Sequence, residues 1–297
     1  MKKLKLKEEK HKRLESGFKE WLKITGYSTS TVDSLPAHIK EFFYWLELGN
    51  ILIENITPQT LQSYFLYLKQ RPRQRRTGAL SNSYLLKHLQ ALKRLSEYLR
   101  NTEQESFDTD ILLEEGKRKL PEILSREEIK QLYEATEDSP MGLRDRAMLA
   151  VYYGCGLRRN EGVSLNTEDV LTNKNLLYVR HGKNYKERYV PMTAEVKQDI
   201  ECYLFYGRPF LLKEEHEEAF FLTERGERPE GQSLHIRLKQ LAKKAEIHKV
   251  SGLHMLRHTI ATHLLESGMS LENIARFLGH ESLESTQIYT HILNNDL

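Results

Sequence analysis

The sequence predicts a mainly α fold in two domains, with a small β-sheet confined to the second. Three observations carry this reading. Apolar residues recur at helical spacing through the first hundred residues and again from Gln232 onward. Two short runs, Leu176–Val179 and Arg188–Pro191, flank a Gly182-Lys183-Asn184 turn and read as strands of a hairpin. Between the helical regions, residues 105–120 lose their periodicity and are rich in acids, which marks an interdomain linker. The first domain is then 1–104 and the second 121–297. A chain of 297 residues exceeds the usual single core, in keeping with that division.

Taken in order, Phe18, Trp21 and Leu22 mark a first helix, and Ile39, Phe42, Phe43 and Leu46 a second. Thr57-Pro58 is an N-cap followed by proline at the first helical position, and it opens a third helix through Leu61, Tyr64, Phe65 and Leu68. Residues 71–78 form a basic loop. Ser81 caps a fourth helix that turns Leu85, Leu89, Leu92, Leu95 and Leu99 inward. Beyond the linker, Ser125 and Glu128 have capping-box spacing and restart helical structure. Residues 144–153 read as a buried helix that Gly156 terminates.

Composition narrows the function. The chain is 39% hydrophobic and 29% charged, and no window approaches the ~18 apolar residues of a membrane span. Residues 1–7 are basic but have no apolar core, so they do not read as a signal peptide, and a cytoplasmic protein is expected. Cys155 and Cys202 lie in apolar surroundings and read as core thiols. Net charge is only +3, but its distribution is uneven. Between Lys69 and Arg100 there are nine Lys/Arg and one acid, Glu97. Arg71, Arg73, Arg75, Arg76, Lys87, Lys93 and Arg94 are therefore candidate contacts to a nucleic-acid backbone.

Four segments of the second domain carry chemistry. Arg158 stands at the start of a helix, where its charge adds to the positive end of the helix dipole, and Glu161 lies three residues on to orient it. Lys183, with Lys186 nearby, sits on the hairpin turn; a lysine among cations has a lowered pKa and can protonate a leaving alkoxide. His254 and Arg257, three apart, place a base and a guanidinium on one helical face. His280 and Tyr289 follow. His254 and His258 have zinc spacing, but Met255 stands where a zinc protease carries its Glu, and no Walker motif or dense carboxylate cluster is present. A tyrosine phenol with an ordinary pKa of about 10 needs such company to attack an anion, and phosphate best suits two guanidiniums. The pattern fits phosphoryl transfer with no metal and no cofactor.

These segments resemble the tyrosine recombinase (phage integrase) family, in its compact Xer-like and mobile-element forms. Residues 153–161, YGCGLRRNE, resemble the TGLRxxE box with Arg158. Residues 182–191, GKNYKERYVP, resemble the GKGxKxRxVP hairpin with Lys183. Residues 254–258, HMLRH, resemble HxLRH and supply His254 and Arg257, and 278–280 resemble LGH with His280. Residues 286–291, TQIYTH, resemble the TxxYTH segment with Tyr289. The resemblance implies a SAM-like helical core-binding domain and an α/β catalytic domain that close as a clamp on duplex DNA. It further implies inverted-repeat recombination sites, a monomer in solution that forms a homo- or hetero-tetramer on DNA, and strand exchange through a 3′-phosphotyrosine link and a Holliday junction, without ATP, metal or a membrane. One chemistry of this kind serves integration and excision, inversion or chromosome-dimer resolution.

There are departures. Asn184 replaces the second hairpin glycine, and Asn tolerates the required backbone. Gly162 stands where a larger apolar residue is common, which predicts weaker packing behind Arg158. Eight residues follow Tyr289, fewer than the segment that many relatives dock into a neighbour. The alternative readings are a type IB topoisomerase-like nicking-closing enzyme, which uses the same residues, and a catalytically silent DNA-binding protein.

Overall fold

The computed structural model describes residues 4–71, 80–111, 121–180, 187–280 and 285–287. Of the predicted site residues, Arg73, Arg75, Arg76, Lys183, Lys186 and Tyr289 lie outside them. The chain divides into two compact units, 1–118 and 119–297.

The first unit holds helices α1 (Glu9–Ile24), α2 (Thr29–Leu48), α3 (Pro58–Gln70) and α4 (Asn82–Asn101). Thr57 and Thr60 form a capping box at the head of α3, and Pro58 occupies its first position, where the missing N–H has no helical partner to lose. The helical stripes close on one core. Phe18, Leu22, Ile39, Phe42, Phe43, Leu46, Leu61, Tyr64, Leu68 and Leu95 are completely buried, each burial contributing about 1.5–3 kcal/mol. The carboxylate of Glu47, near the end of α2, accepts from the backbone N–H groups of Lys7 (2.8 Å) and Glu8 (3.0 Å), joining the start of α1 to it.

Glu41 is a buried ionic group of this unit. Glu41 of α2, only 4% exposed, pairs with Arg71 at 2.6 Å and accepts a second Arg71 bond at 3.0 Å. Tyr84 donates to the same carboxylate at 3.4 Å, and His88 stands 3.7 Å from it. Burial, with the charges of His38 and Arg71, pushes the His88 pKa down to about 2, so that ring is neutral. Arg71, expected to contact nucleic acid, is thus held inside as the counter-ion of Glu41, its side chain 12% exposed. Of the other expected contacts, Lys87 and Lys93 are exposed on α4. Arg94 is half-buried, paired with Glu97 at 2.5 Å and lying over the Tyr27 ring.

The expected linker begins as packed chain. Phe107 is buried in the first core, and Ser96 donates to its carbonyl at 2.6 Å. The acids around it set the local composition, while the single aromatic decides the packing.

The second unit holds α5 (Arg126–Glu134), α6 (Pro140–Leu149), a π turn (Ala150–Gly154), α7 (Arg159–Val163), β1 (Val170–Leu171), β2 (Leu176–Val179), β3 (Arg188–Pro191), α8 (Ala194–Cys202), a second π turn (Tyr203–Gly207), α9 (Arg208–Leu211), α10 (Gly231–Lys244), α11 (Leu253–Glu266) and α12 (Leu271–Leu278). The capping box of Ser125 and Glu128 opens α5 as the spacing predicts. The sheet order is β1-β2-β3, antiparallel throughout, with Leu177 opposite Val190 and Tyr178 opposite Tyr189. Alternation turns Leu177, Val179 and Val190 into the core and leaves Tyr178 and Tyr189 stacked outside, ring centres 4.9 Å apart. Asp145 of α6, fully buried, accepts from Arg144 at 3.0 Å and from Arg237 of α10 at 2.7 Å, tying those helices together. Cys155 is buried as expected, whereas Cys202 is only partly so. Among the described residues no helix is long and apolar enough to cross a membrane.

The Glu41 pair generates a stability prediction. Glu41→Ala strands the Arg71 guanidinium in a nearly dry site and should cost the first unit about 3–5 kcal/mol. Urea unfolding followed by tryptophan fluorescence, both tryptophans lying in this unit, reads it; a change below 1 kcal/mol would show that the pair is not structural.

Candidate active site

The site is built around a break in the chain between α6 and α7. The π turn ends at Gly154, and two residues on Gly156 has a φ of +61°, which is left-handed and suits glycine. A Cβ there would stand 2.9 Å from Leu278 Cδ2 and 3.1 Å from Phe277 Cε1, so the glycine also admits α12. Arg158 follows as the N-cap of α7. Its backbone N–H donates to Glu161 Oε2 at 2.8 Å, and its Nη1 donates to Oε1 at 2.8 Å.

Glu161 is the hub. It is 5% exposed and, besides Arg158, accepts two bonds from Arg188 of β3, at 3.0 and 2.8 Å. Arg257 of α11 lies 4.0 Å from the same carboxylate. Burial alone would push the Glu161 pKa up. Hydrogen bonds and charge from Arg188, with the bonds from Arg158, outweigh it and hold the carboxyl at about 2.

The second anchor is the C-terminus of α12. Gly279 adopts φ +67°, its N–H bonds Arg276 O at 3.2 Å, and His280 N–H bonds Ala275 O at 2.9 Å, the two bonds of a Schellman motif. The next carbonyls are turned to the arginines. Arg257 Nη2 donates to Leu278 O at 2.7 Å and its Nη1 to Gly156 O at 2.6 Å, while Arg158 Nη2 donates to Gly279 O at 2.9 Å. The two guanidiniums therefore hang side by side from consecutive carbonyls. Arg257 is 3% exposed, and the Arg158 side chain stays 23% exposed.

Three histidines share this cationic field. His280 is pushed down to about 4 by burial and then by the charges of Arg257 and Arg158, and its Nδ1 lies 2.9 Å from Thr286 Oγ1. His258 is lowered to about 4 by burial, His254 and Arg257. His254 is lowered by partial burial and by Arg257, Arg158 and Arg159. The structure thus brings Arg158, Glu161, His254, Arg257 and His280 together. It adds Arg188, His258 and Thr286, which sequence reasoning did not single out. Arg188 lies inside the hairpin motif, where the strand pattern alone already accounts for it. His263 is buried and bonded to Tyr153 at 2.9 Å, as a structural histidine would be. Among the described residues no three His, Cys, Asp or Glu side chains gather closely enough to hold a metal ion.

Packing behind Arg158 is tighter than Gly162 suggested. The fully buried Tyr152 ring fills the place of a side chain: a Cβ on Gly162 would lie 2.5 Å from its hydroxyl. That hydroxyl donates to Arg159 O at 2.9 Å. The missing side chain is supplied from the preceding π turn.

Residues 122–296 match the Phage integrase family. The chain belongs to that family. It is 37% identical over 246 residues to tyrosine recombinase XerC of Natranaerobius thermophilus, covering 80% of this chain and 79% of that one. It is 33% identical over 280 residues to tyrosine recombinase XerD of Ralstonia nicotianae, covering 93% and 88%. Among solved structures, XerH bound to palindromic difH has a TM-score of 0.74 at 22% identity, over 95% of this chain and 81% of that one. The Tn1549 transposon integrase in complex with transposon right end DNA has 0.76 at 16% identity, over 93% and 94%. The mainly helical fold with its small sheet is thus the phage integrase fold. The enzyme is a tyrosine recombinase acting in site-specific DNA recombination, and the topoisomerase-like and silent-binder alternatives are not favoured.

The recombinase site should be sensitive to acid. Glu161 (4.5 lowered to about 2) and His258 and His280 (6.5 lowered to about 4) all bind protons less readily folded than unfolded. The histidine contribution is complete above 6.5 and lost as pH falls toward 4; that of Glu161 is lost from 4.5 downward. Thermal midpoints should fall steadily on acidification from pH 7, and His258→Gln with His280→Gln should flatten the upper part of the slope. Midpoints that do not move between pH 6.5 and 4 would contradict these pKa directions.

Proposed function

We propose that the paired guanidiniums of Arg158 and Arg257 bind the two non-bridging oxygens of a scissile DNA phosphate, and that Tyr289 attacks it. The observation that carries this reading is their suspension from the consecutive carbonyls of Leu278 and Gly279. That geometry suits a phosphate, whose oxygens two guanidiniums can share. His280, bound next in the chain to the same helix end, adds a donor on the phosphate.

The chemistry balances as follows. The bond from Tyr289 Oη to phosphorus forms as the bond from phosphorus to the 5′ oxygen breaks. His254 takes the phenolic proton, for which its lowered pKa keeps it neutral at pH 7. Lys183 protonates the leaving 5′ oxygen. The 3′-phosphotyrosine keeps the energy of the phosphodiester, so a second 5′ hydroxyl can reverse the step on another strand without ATP. Two rounds pass through a Holliday junction.

The substrate is duplex DNA with inverted half-sites, as the XerH complex with palindromic difH and the lambda integrase dimer on a COC′ core site suggest by analogy. On such DNA the recombinase assembles as a tetramer from monomers, in the cytoplasm. Lys87 and Lys93, with Arg73, Arg75, Arg76 and Lys186, supply phosphate contacts.

A nicked suicide duplex tests the chemistry. The wild type should accumulate a covalent protein–DNA band, Tyr289→Phe should give none, and Arg158→Ala or Arg257→Ala should slow its formation by about 10²–10³. A band that persists in Tyr289→Phe removes that residue as nucleophile. Binding is tested separately by salt titration. Replacing Arg73, Arg75 and Arg76 by Gln should flatten the slope of log K against log salt by roughly 2–3; an unchanged slope takes those residues out of the interface.

A further inference from the structure

Away from the arginine cluster, the second unit carries a surface of the opposite character. Phe205, Tyr206 and Phe210 are 62%, 68% and 71% exposed, and Pro209 among them is also exposed. They lie on the continuous helical run of α8, the second π turn and α9. Tyr206 and Phe210 are four positions apart, and Phe205 and Phe210 are five apart across the wider π turn, so the three rings share a face. The run cannot roll to hide them. Its other face is fixed by Tyr203 and Leu211 in the core, and a Cβ on Gly207 would meet Leu143 Cβ at 3.1 Å and Pro140 O at 3.2 Å.

At about 200 Å² per ring, the three side chains expose roughly 400 Å² of aromatic surface, within the ~300–600 Å² of the largest, often functional, patch on a monomer. Arg208 sets its border. It donates to Glu217 O and, at 3.0 Å, to Ala219 O, which draws the acidic turn 212–218 alongside α9. Glu214, Glu215 and Glu218 are exposed on that turn. The basic groups there are His216 and Lys213; the stem of Lys213 lies against Gly226. A glutamate border repels a phosphate backbone, so this surface is not an extension of the DNA site.

We propose that Phe205, Tyr206 and Phe210, with the bordering glutamates, form a docking surface for a basic amphipathic helix of a partner protein. Exposed aromatic clusters supply the desolvated centre of protein interfaces, and charge complementarity selects the partner. The apolar stripe of such a helix covers the rings, and its flanking Lys and Arg side chains meet Glu214, Glu215 and Glu218.

The probe is a fluorescent 18-residue peptide with leucine and lysine at helical spacing, titrated against the full chain and read by anisotropy. Saturable binding is expected. It should weaken at least tenfold in Phe205→Ser/Phe210→Ser and in Glu214→Gln/Glu215→Gln/Glu218→Gln, and a peptide with glutamate in place of lysine should not bind. Both variants should keep wild-type suicide-duplex cleavage. Absent binding, or equal binding by the variants, overturns the proposal. So does a loss of DNA cleavage in folded variants, which would give the surface to the nucleic acid. Sedimentation covers the remaining occupant: a wild-type dimer that Phe205→Ser/Phe210→Ser abolishes would assign the face to a second copy and overturn the partner.

Discussion

One buried carboxylate makes the catalytic unit possible. Glu161 sits among Arg158, Arg188 and Arg257, which arrive from α7, β3 and α11. Three guanidiniums within a few ångströms repel one another by several kcal/mol at the effective dielectric of a protein interior. The carboxylate offsets that repulsion, and its own burial is tolerated because four N–H groups point at it. Without it, Arg188 and Arg158 would have to turn to water, and α7, β3 and α11 would lose their common point. The chain terminus of α12 contributes the other negative element, the partial charge of its last carbonyls. The site is thus a set of cations held by slightly too little negative charge, and the deficit is what an incoming anion fills.

The same field governs protonation. Burial, and after it the neighbouring positive charge, lowers His258 and His280 to about 4, so both rings are neutral at pH 7 while the site is unoccupied by an anion. A phosphate at the proposed position between Arg158 and Arg257 would cancel part of that field, and the histidines beside it would then accept protons more readily. Under that proposal, substrate binding and histidine protonation are coupled through the arginines. This coupling needs no conformational change, only charge. It also explains why three histidines can stand close together without mutual repulsion before DNA arrives.

What the sequence revealed, and what it concealed, follows from the range of each interaction. Caps, turns and strand limits are local, and they were legible: Ser125 with Glu128, Thr57 with Pro58, Arg158 at a helix start, and both β2 and β3. Arg188 was not, because its partner lies 27 residues away and its own strand pattern already accounted for it. Arg71 looked like one more member of a basic run; only the fold reveals Glu41, 30 residues earlier, beneath it. Gly162 looked like a packing defect because Tyr152, ten positions back, was assigned to a buried helix with no view of where its ring points. The two-residue β1 is too short to leave a pattern. Phe107 shows the same limit from the other side, since one buried aromatic outweighs the acidic composition around it.

Charge segregation, rather than net charge, is what orients this molecule. A total of +3 describes a nearly neutral chain, yet the second unit gathers arginines at Glu161 and the α12 terminus while setting Glu214, Glu215 and Glu218 beside exposed aromatic rings. Duplex DNA carries a negative charge about every 1.7 Å along its axis. It is drawn to the first region and repelled from the second by the same Coulomb term. At physiological salt that term fades over about 8 Å, so each surface acts on what touches it and barely on the other. A single unit can then hold a polyanion at its reactive centre and keep an apolar, acid-bordered face out of that contact. The rings stay uncovered because the other face of their helical run is held in the core by Tyr203 and Leu211, and the glutamates beside them are the physical ground for assigning them to a different ligand.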